Sequence, residues 1–388
     1  MSLLDPQDWT FPVPIAYGPG RLREIGRFCR DAGVSKPLLV TDQGSRDLPF
    51  IAAAHEHLEA DGLKTALFAG ISPNPCDTDI EAGCRVFRDG AHDGIIGIGG
   101  GSGMDGAKAI ALTARSGVSL WEFEFERTPL DVSGSPAFPP LISVPTTAGT
   151  GAETEGTAMI TDTAQGMKFC VWHPEFRPIC ALLDPELTLG LPTTLTAWTG
   201  LDALTHAIEA YTVPGFHPLC DGAALEGLRL ITRWLPQAVS DPASLEARGG
   251  MLVGSCLAGI AFLKGLGIVH AVSHMVGAEY NTHHGLTNAV ILPAALRFNA
   301  PALVDRARPM AQAMVLEHHD AEAIHAAVCR MLDEMEIPSS LGEMGVPGDC
   351  AQRIAAKAMR DSAAGTNARI ITASEMEAFV TEVLVTAR

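Results

Sequence analysis

The sequence predicts an α/β half followed by an all-helical half, with the boundary near residue 190. Three observations carry that expectation. Up to about residue 190, short β-branched runs alternate with helix-like stretches. After "LDPELTLGLP" (183–192), almost everything reads as helix with polar punctuation. The 388 residues also exceed the ~250–300 at which one core usually stops growing. Residues 1–190 and 191–388 are therefore expected as two domains.

In the first half, "KPLLVTD" (36–42), "GIIGIGGG" (94–101) and "PPLISVPTTAGTG" (139–151) each read as a buried strand running into a Gly- or Thr-rich turn. The helix-like stretches "IAAAHEHLEADG" (51–62) and "TDIEAGCRVFRDG" (78–90) lie between them. Such alternation implies a mostly parallel sheet covered on both faces, with ligands outside the carboxyl ends of its strands. In the second half, helices are expected over 194–212, 221–239, 244–263, 265–280, 320–336, 351–360 and 373–386.

Composition narrows the class. The apolar fraction is 47% and the charged fraction 19%, as in ordinary globular chains. A net charge of −18 disfavours nucleic acid and anionic membrane surfaces as partners. Nine scattered cysteines without a C-x-x-C pair fit a reduced compartment. "MSLLDPQDWTFPVP" has neither a basic start nor a long apolar run, so no signal peptide is expected. The longest apolar run, "MLVGSCLAGIAFL", is about thirteen residues and too short to span a bilayer. A soluble cytoplasmic protein is the expectation.

Two turns have the chemistry of an anion cradle. "GIGGGSGMDGAKAIAL" (97–112) follows a strand and opens a helix. Gly99, Gly100 and Gly101 let backbone N–H groups close around a phosphate at the positive end of that helix. "PTTAGTGAE" (145–153) adds hydroxyls and glycines suited to a pyrophosphate or ribose. Asp42, ending a strand, either accepts from an adenosine ribose or simply caps the next turn. Three turns of this kind in one α/β half point to a dinucleotide.

Four of the thirteen histidines fall within residues 270–284. His270 and His274 share a helix face, and His283 and His284 follow a turn, so one of the ligands is expected from a loop. On the helix opening at Thr193 or Thr194 as N-cap, Trp198, Asp202 and His206 form one stripe. Burying an unpaired Asp and His is costly, and either an Asp–His hydrogen bond or a divalent cation resolves the cost. The two helical pairs together favour the cation. Imidazoles with a carboxylate suit Zn²⁺, Fe²⁺ or Mn²⁺ better than Mg²⁺ or Ca²⁺.

In this order "GGGSGMDGAK", "PTTAGTGAE", "GLDALTHAIEAY" and "GIVHAVSHMVGAEYNTHHGLTNAVILP" resemble the signatures of the iron-containing (group III) alcohol dehydrogenases. The likeness runs from "FPVPIAYGPGRLREIG" (11–26) to "GTNARIITASEMEAF" (365–379). It implies the dehydroquinate synthase-like plan: an α/β dinucleotide-binding domain followed by an all-helical metal-binding domain. It implies metal ligands at Asp202, His206, His270 and His284, with His274 beside nicotinamide and substrate. It also implies NAD contacts at Asp42, Asn74, Gly100, Gly101, Ser102, Thr146, Thr147, Lys168 and Leu187. Lys168 donates to the cofactor on this view, and Asp42 at the ribose selects NAD over NADP.

The implied reaction is metal-dependent hydride transfer between NAD(H) and a small alcohol or aldehyde, with Fe²⁺ as the ion and Zn²⁺ as the alternative. A homodimer is implied as well. A glycerol-dehydrogenase-like polyol oxidoreductase and a lyase of the dehydroquinate synthase branch are rival readings. Ala152, Thr154–Glu155 and Ala368 depart from the family pattern. Glu155 introduces a carboxylate near the expected cofactor, tilting affinity or facing solvent, and Ala368 replaces a common proline. His283, where relatives often carry proline, is expected as a surface turn residue.

Overall fold

The computed structural model describes residues 13–133 and 138–388. Residues 1–12 of the N-terminal stretch read for a signal peptide lie outside the described residues. Two compact units emerge, one from residues 13–147 and 152–191, the other from 148–151 and 192–388.

The first unit holds β1 (Ile15–Tyr17), β2 (Pro37–Asp42), β3 (Ala66–Ile71), β4 (Gly94–Gly99), β5 (Leu141–Pro145), β6 (Ala158–Asp162), β7 (Met167–Val171) and β8 (Cys180–Leu183). Six strands form one sheet in the order β1-β8-β5-β4-β2-β3, every pair parallel. The helices of this unit are α1 (Ile25–Asp31), α2 (Pro49–Ala60), α3 (Asp77–Asp89) and α4 (Gly101–Thr113).

Two cores cover the sheet's two faces, and the strand pleat sorts residues between them. Leu38, Val40 and Ile95 join Ile80, Phe87 and Ile110 of α3 and α4. Leu39, Ile96, Ile98 and Val144 join Ile25, Ile51 and Leu58 of α1 and α2. Each such aliphatic side chain, fully buried, contributes about 1.5–3 kcal/mol before chain entropy is counted.

The three strands legible in the sequence are β2, β4 and β5, which lie side by side in the sheet. Covered on both faces, they read as unbroken apolar runs. β1 and β3 are the sheet's edges and β8 has four residues, so none gave that signal. The antiparallel β6–β7 hairpin was not expected; its turn is held by Asp162, which accepts from the N–H groups of Ala164 and Gln165.

The second unit contains α5 (Thr193–Thr212), α6 (Pro218–Ser240), α7 (Leu245–Ala261), α8 (Ile268–Tyr280), α9 (His284–Asn299), α10 (Ala307–Ala313), α11 (Ala321–Glu334), α12 (Ala351–Ala358), α13 (Ser362–Gly365) and α14 (Ala373–Val385). Four details differ from the sequence reading. Pro192, not Thr193 or Thr194, is the N-cap of α5, and both threonines lie inside the helix. α8 begins at Ile268 rather than 265, since Gly265 takes φ 119° and breaks the run. α9 was not foreseen as a helix, although it carries His284. Finally, Leu245–Lys264 is long and apolar enough to cross a membrane by length and composition, beyond the thirteen-residue run noted above. Of its most apolar window, 67% is buried inside the protein, as in a core helix.

Candidate metal centre and nucleotide cradle

Asp202 and His206 occupy successive turns of α5, and His270 sits in the first turn of α8. His284 is the first residue of α9, which corrects its placement on a loop. α9 can deliver it because Gly285 lacks a side chain: a Cβ there would lie 2.4 Å from Trp198 O and 3.1 Å from Asp202 Cβ. The helix crossing thus needs glycine. One ligand atom from each of Asp202, His206, His270 and His284 lies within 4.8 Å of the others.

The rings are held with their lone pairs inward. His270 Nδ1 lies 2.6 Å from Glu209 Oε2, so that nitrogen carries the hydrogen and Nε2 keeps the lone pair. His206 Nδ1 lies 3.3 Å from the Gly149 carbonyl, which sets the same tautomer. Burial pushes the His206 imidazole down to about 4, with Asp202 pulling it back only in part. It is therefore neutral and able to ligate at physiological pH. Three imidazoles around a carboxylate that is 1% exposed form a donor set for a borderline divalent cation. The chemistry of these residues fits Fe²⁺ and Zn²⁺ alike.

His274 is buried next to this group but is not part of it. Its ring stacks on His284 at 5.4 Å between centroids, and its Nδ1 lies 2.9 Å from Asp361 Oδ2. The histidine expected as a surface turn residue, His283, is instead the N-cap of α9. Its Nδ1 accepts from Leu286 N–H, and its ring packs on Trp198 at 5.0 Å. The exposed turn reading fails because α9, unforeseen, supplies an N-terminus to cap.

In the α/β unit, α4 begins at Gly101 behind the N-cap Gly100, and no side chain caps it. Gly99 takes φ 149°, and a Cβ there would sit 3.1 Å from Thr41 Oγ1 and 3.2 Å from Asp42 Oδ2. A Cβ on Gly100 would lie 3.5 Å from Thr147 Cγ2, so Thr147 stands against the open helix end. Thr41 Oγ1 and Thr147 Oγ1 are both buried without a partner. Open N–H groups beside unsatisfied hydroxyls suit a phosphate-bearing ligand.

Asp42 accepts from Ser45 N–H at 3.0 Å and Ser45 Oγ at 2.8 Å, and so caps the following turn. Lys168 on β7 donates to Asn74 Oδ1 at 2.6 Å, and Ser102 Oγ donates to Pro73 O at 2.5 Å. Thr146 N–H donates to Gly99 O at 2.9 Å, tying β5 to the end of β4. Leu187 packs at the margin of the α1–α2 core.

Glu155 neither faces solvent nor joins this cradle. It accepts from Lys108 Nζ at 2.5 Å, and both side chains are buried. Burial alone would push the Lys108 ammonium down, yet Glu155 and Asp105 together hold it above its usual value. The departure at 155 is thus the partner of a buried cation on α4.

Comparison with known proteins now decides the family. The model for "Iron-containing alcohol dehydrogenase" matches residues 12–185, and that for "Fe-containing alcohol dehydrogenase family, C-terminal" matches residues 196–384. The chain belongs to the iron-containing alcohol dehydrogenase family.

An NAD-dependent methanol dehydrogenase of Bacillus methanolicus is 34% identical, covering 97% of this chain and 100% of its own. A 1,3-propanediol dehydrogenase of Klebsiella pneumoniae is 36% identical, covering 93% and 95% respectively. The crystal structure of a 1,3-propanediol oxidoreductase superposes with TM-score 0.89 at 35% identity, over 97% of this chain and 100% of its own.

Three residues of this alcohol dehydrogenase were missed in the sequence. Glu209 holds His270, Asn288 lies 2.7 Å from Asp202 Oδ1, and Asp361 holds His274. Glu209 lies one turn beyond His206 in "THAIEAY", on a helix the sequence already showed. The other two meet their partners 86 and 87 residues away in sequence.

Proposed function

We propose that this alcohol dehydrogenase moves hydride between NAD(H) and a small alcohol or aldehyde at a divalent ion held by Asp202, His206, His270 and His284. Iron is the ion we favour, with zinc as the alternative. The observation that carries the proposal is the convergence of these four donors within 4.8 Å, backed by Glu209 on the far side of His270. Bound there, the ion supplies Lewis acidity to a substrate oxygen.

The chain's own residues do the rest. Asp202 and the three imidazoles would hold the ion. His274, its Nδ1 held by Asp361, exchanges a proton through Nε2. Gly100, Gly101 and Ser102 at the α4 N-terminus, with Thr146 and Thr147, hold the NAD phosphates. Asp42 accepts from the ribose with lone pairs left over from Ser45 and disfavours a 2′-phosphate. Asn74, Lys168 and Leu187 complete the cofactor contacts, Lys168 as donor. Short-chain substrates fit the proposal, given the methanol and 1,3-propanediol enzymes among the relatives. We place the enzyme in the cytoplasm as a homodimer.

The test is NADH consumption by metal-stripped protein against short aldehydes, before and after adding Fe²⁺ or Zn²⁺. Metal-dependent loss of NADH absorbance is expected. NADH binding without turnover under either metal would overturn the proposed reaction.

A further inference from the structure

We infer, granted that Asp202, His206, His270 and His284 hold the ion, that Asn288 is a positioning residue of the metal centre acting through Asp202. Asn288 stands one turn beyond His284 on α9, facing the same way, and is fully buried. Its Nδ2 lies 2.7 Å from Asp202 Oδ1, 3.1 Å from His270 Nε2 and 3.1 Å from His284 Nε2. One amide thus reaches three of the four ligand atoms.

The orientation of that amide follows from its neighbours. The carboxylate of Asp202 is an acceptor, and His270 Nε2 is one too, because the hydrogen of that ring faces Glu209. An amide oxygen in the same place would meet the lone pairs of Asp202 and His270, so the nitrogen must point inward. Oδ1 is then left buried with no partner. At a helix crossing, a Leu or Ala would leave nothing unsatisfied. A buried amide with its oxygen orphaned makes physical sense here only for what its N–H₂ does.

Asp202 is the contact that survives metal binding. An imidazole nitrogen has a single lone pair, so His270 and His284 cannot both accept from Asn288 and ligate an ion. A carboxylate has lone pairs for both tasks. Donation to Oδ1 therefore fixes the plane of the Asp202 carboxylate relative to the His206 and His284 rings, whose Nδ1 and Nε2 lie 4.0 and 3.7 Å from that oxygen respectively. Partners of this kind orient a metal ligand without touching the metal.

The test measures Co²⁺ affinity by chelator competition in Asn288→Ala and in Asn288→Leu, which keeps the volume and removes the donor. NADH binding serves as the folding check, and the variant that binds NADH like the wild type is the one read. Co²⁺ binding about 10–100-fold weaker than wild type is expected. Affinity within threefold of wild type would overturn the inference. So would a visible Co²⁺ spectrum that loses one coordination position, which would make Asn288 a ligand. Asp202→Ala is measured in parallel: if it keeps Co²⁺ as well, the metal-site reading itself has failed, rather than the role of Asn288.

Discussion

The Glu209 carboxylate lies 2.6 Å from His270 Nδ1 and, through the same two oxygens, accepts from the Gly267 and Val269 N–H groups at 3.0 and 2.8 Å. One side chain therefore fixes both the tautomer of a ligand and the start of the helix that carries it. Glu209→Gln replaces an acceptor oxygen with a donor facing donors. We expect about a 10–100-fold loss of metal affinity, read as metal retained after dialysis against a chelator. Full retention would show that α8 alone orients the ring.

His270 and His274 share a helix face but belong to different networks, one reaching Glu209 and the other Asp361. His270→Ala should lose both metal and turnover. His274→Ala should retain stoichiometric metal while kcat falls about 10²-fold or more, the usual scale for a lost proton-transfer group. Metal analysis beside steady-state kinetics separates the two, and equal metal retention would sink the ligand assignment.

Gly99→Ala tests the cradle. Its φ of 149° suits glycine, and the new Cβ would press on Thr41 Oγ1 and Asp42 Oδ2. We expect NADH binding weakened about tenfold, roughly 1.4 kcal/mol, measured by fluorescence titration. Metal content should be unchanged.

The buried Lys108–Glu155 pair predicts strong coupling. Lys108→Met leaves Glu155 buried beside Asp105 without its cation, and should cost about 3–5 kcal/mol in urea unfolding. Adding Glu155→Leu should recover most of that loss. Additive losses in the double variant would contradict the pairing.

Acid should weaken the N-terminal capping box of α14, where Thr372 and Glu375 bond each other's backbone N–H, in a defined window. Hydrogen bonds from Thr372 N–H, Thr372 Oγ1 and Arg369 hold the Glu375 carboxyl down at about 2. A depressed carboxyl stabilises the folded state above its unfolded value, and that contribution fades as pH falls through the folded one. Glu375→Gln should therefore lower Tm at pH 6, with the gap to wild type closing as pH drops from about 4.5 toward 2. A gap independent of pH would exclude the carboxylate as its source.

These relationships were legible in the sequence to different depths. Asp202–His206 and His270–His274 announce themselves because helical spacing of four puts each pair on one face. α9 did not, since Gly285, Thr287 and Asn288 weaken its first turn and Pro293 interrupts it. Burial of almost the whole helix overrides those propensities. The same oversight put His284 on a loop and His283 on the surface. Glu155 looked like a change at the cofactor because its partner Lys108 is 47 residues away. Pairings of that length come from topology, which periodicity does not encode.

The most direct test titrates metal-stripped protein with Fe²⁺ under anaerobic conditions while following NADH oxidation by a short aldehyde. The account predicts activity that rises to saturation at one equivalent of metal per chain and is absent at every equivalent in His270→Ala. Activity in the stripped protein, or an undiminished response in His270→Ala, would contradict a catalytic ion at Asp202, His206, His270 and His284.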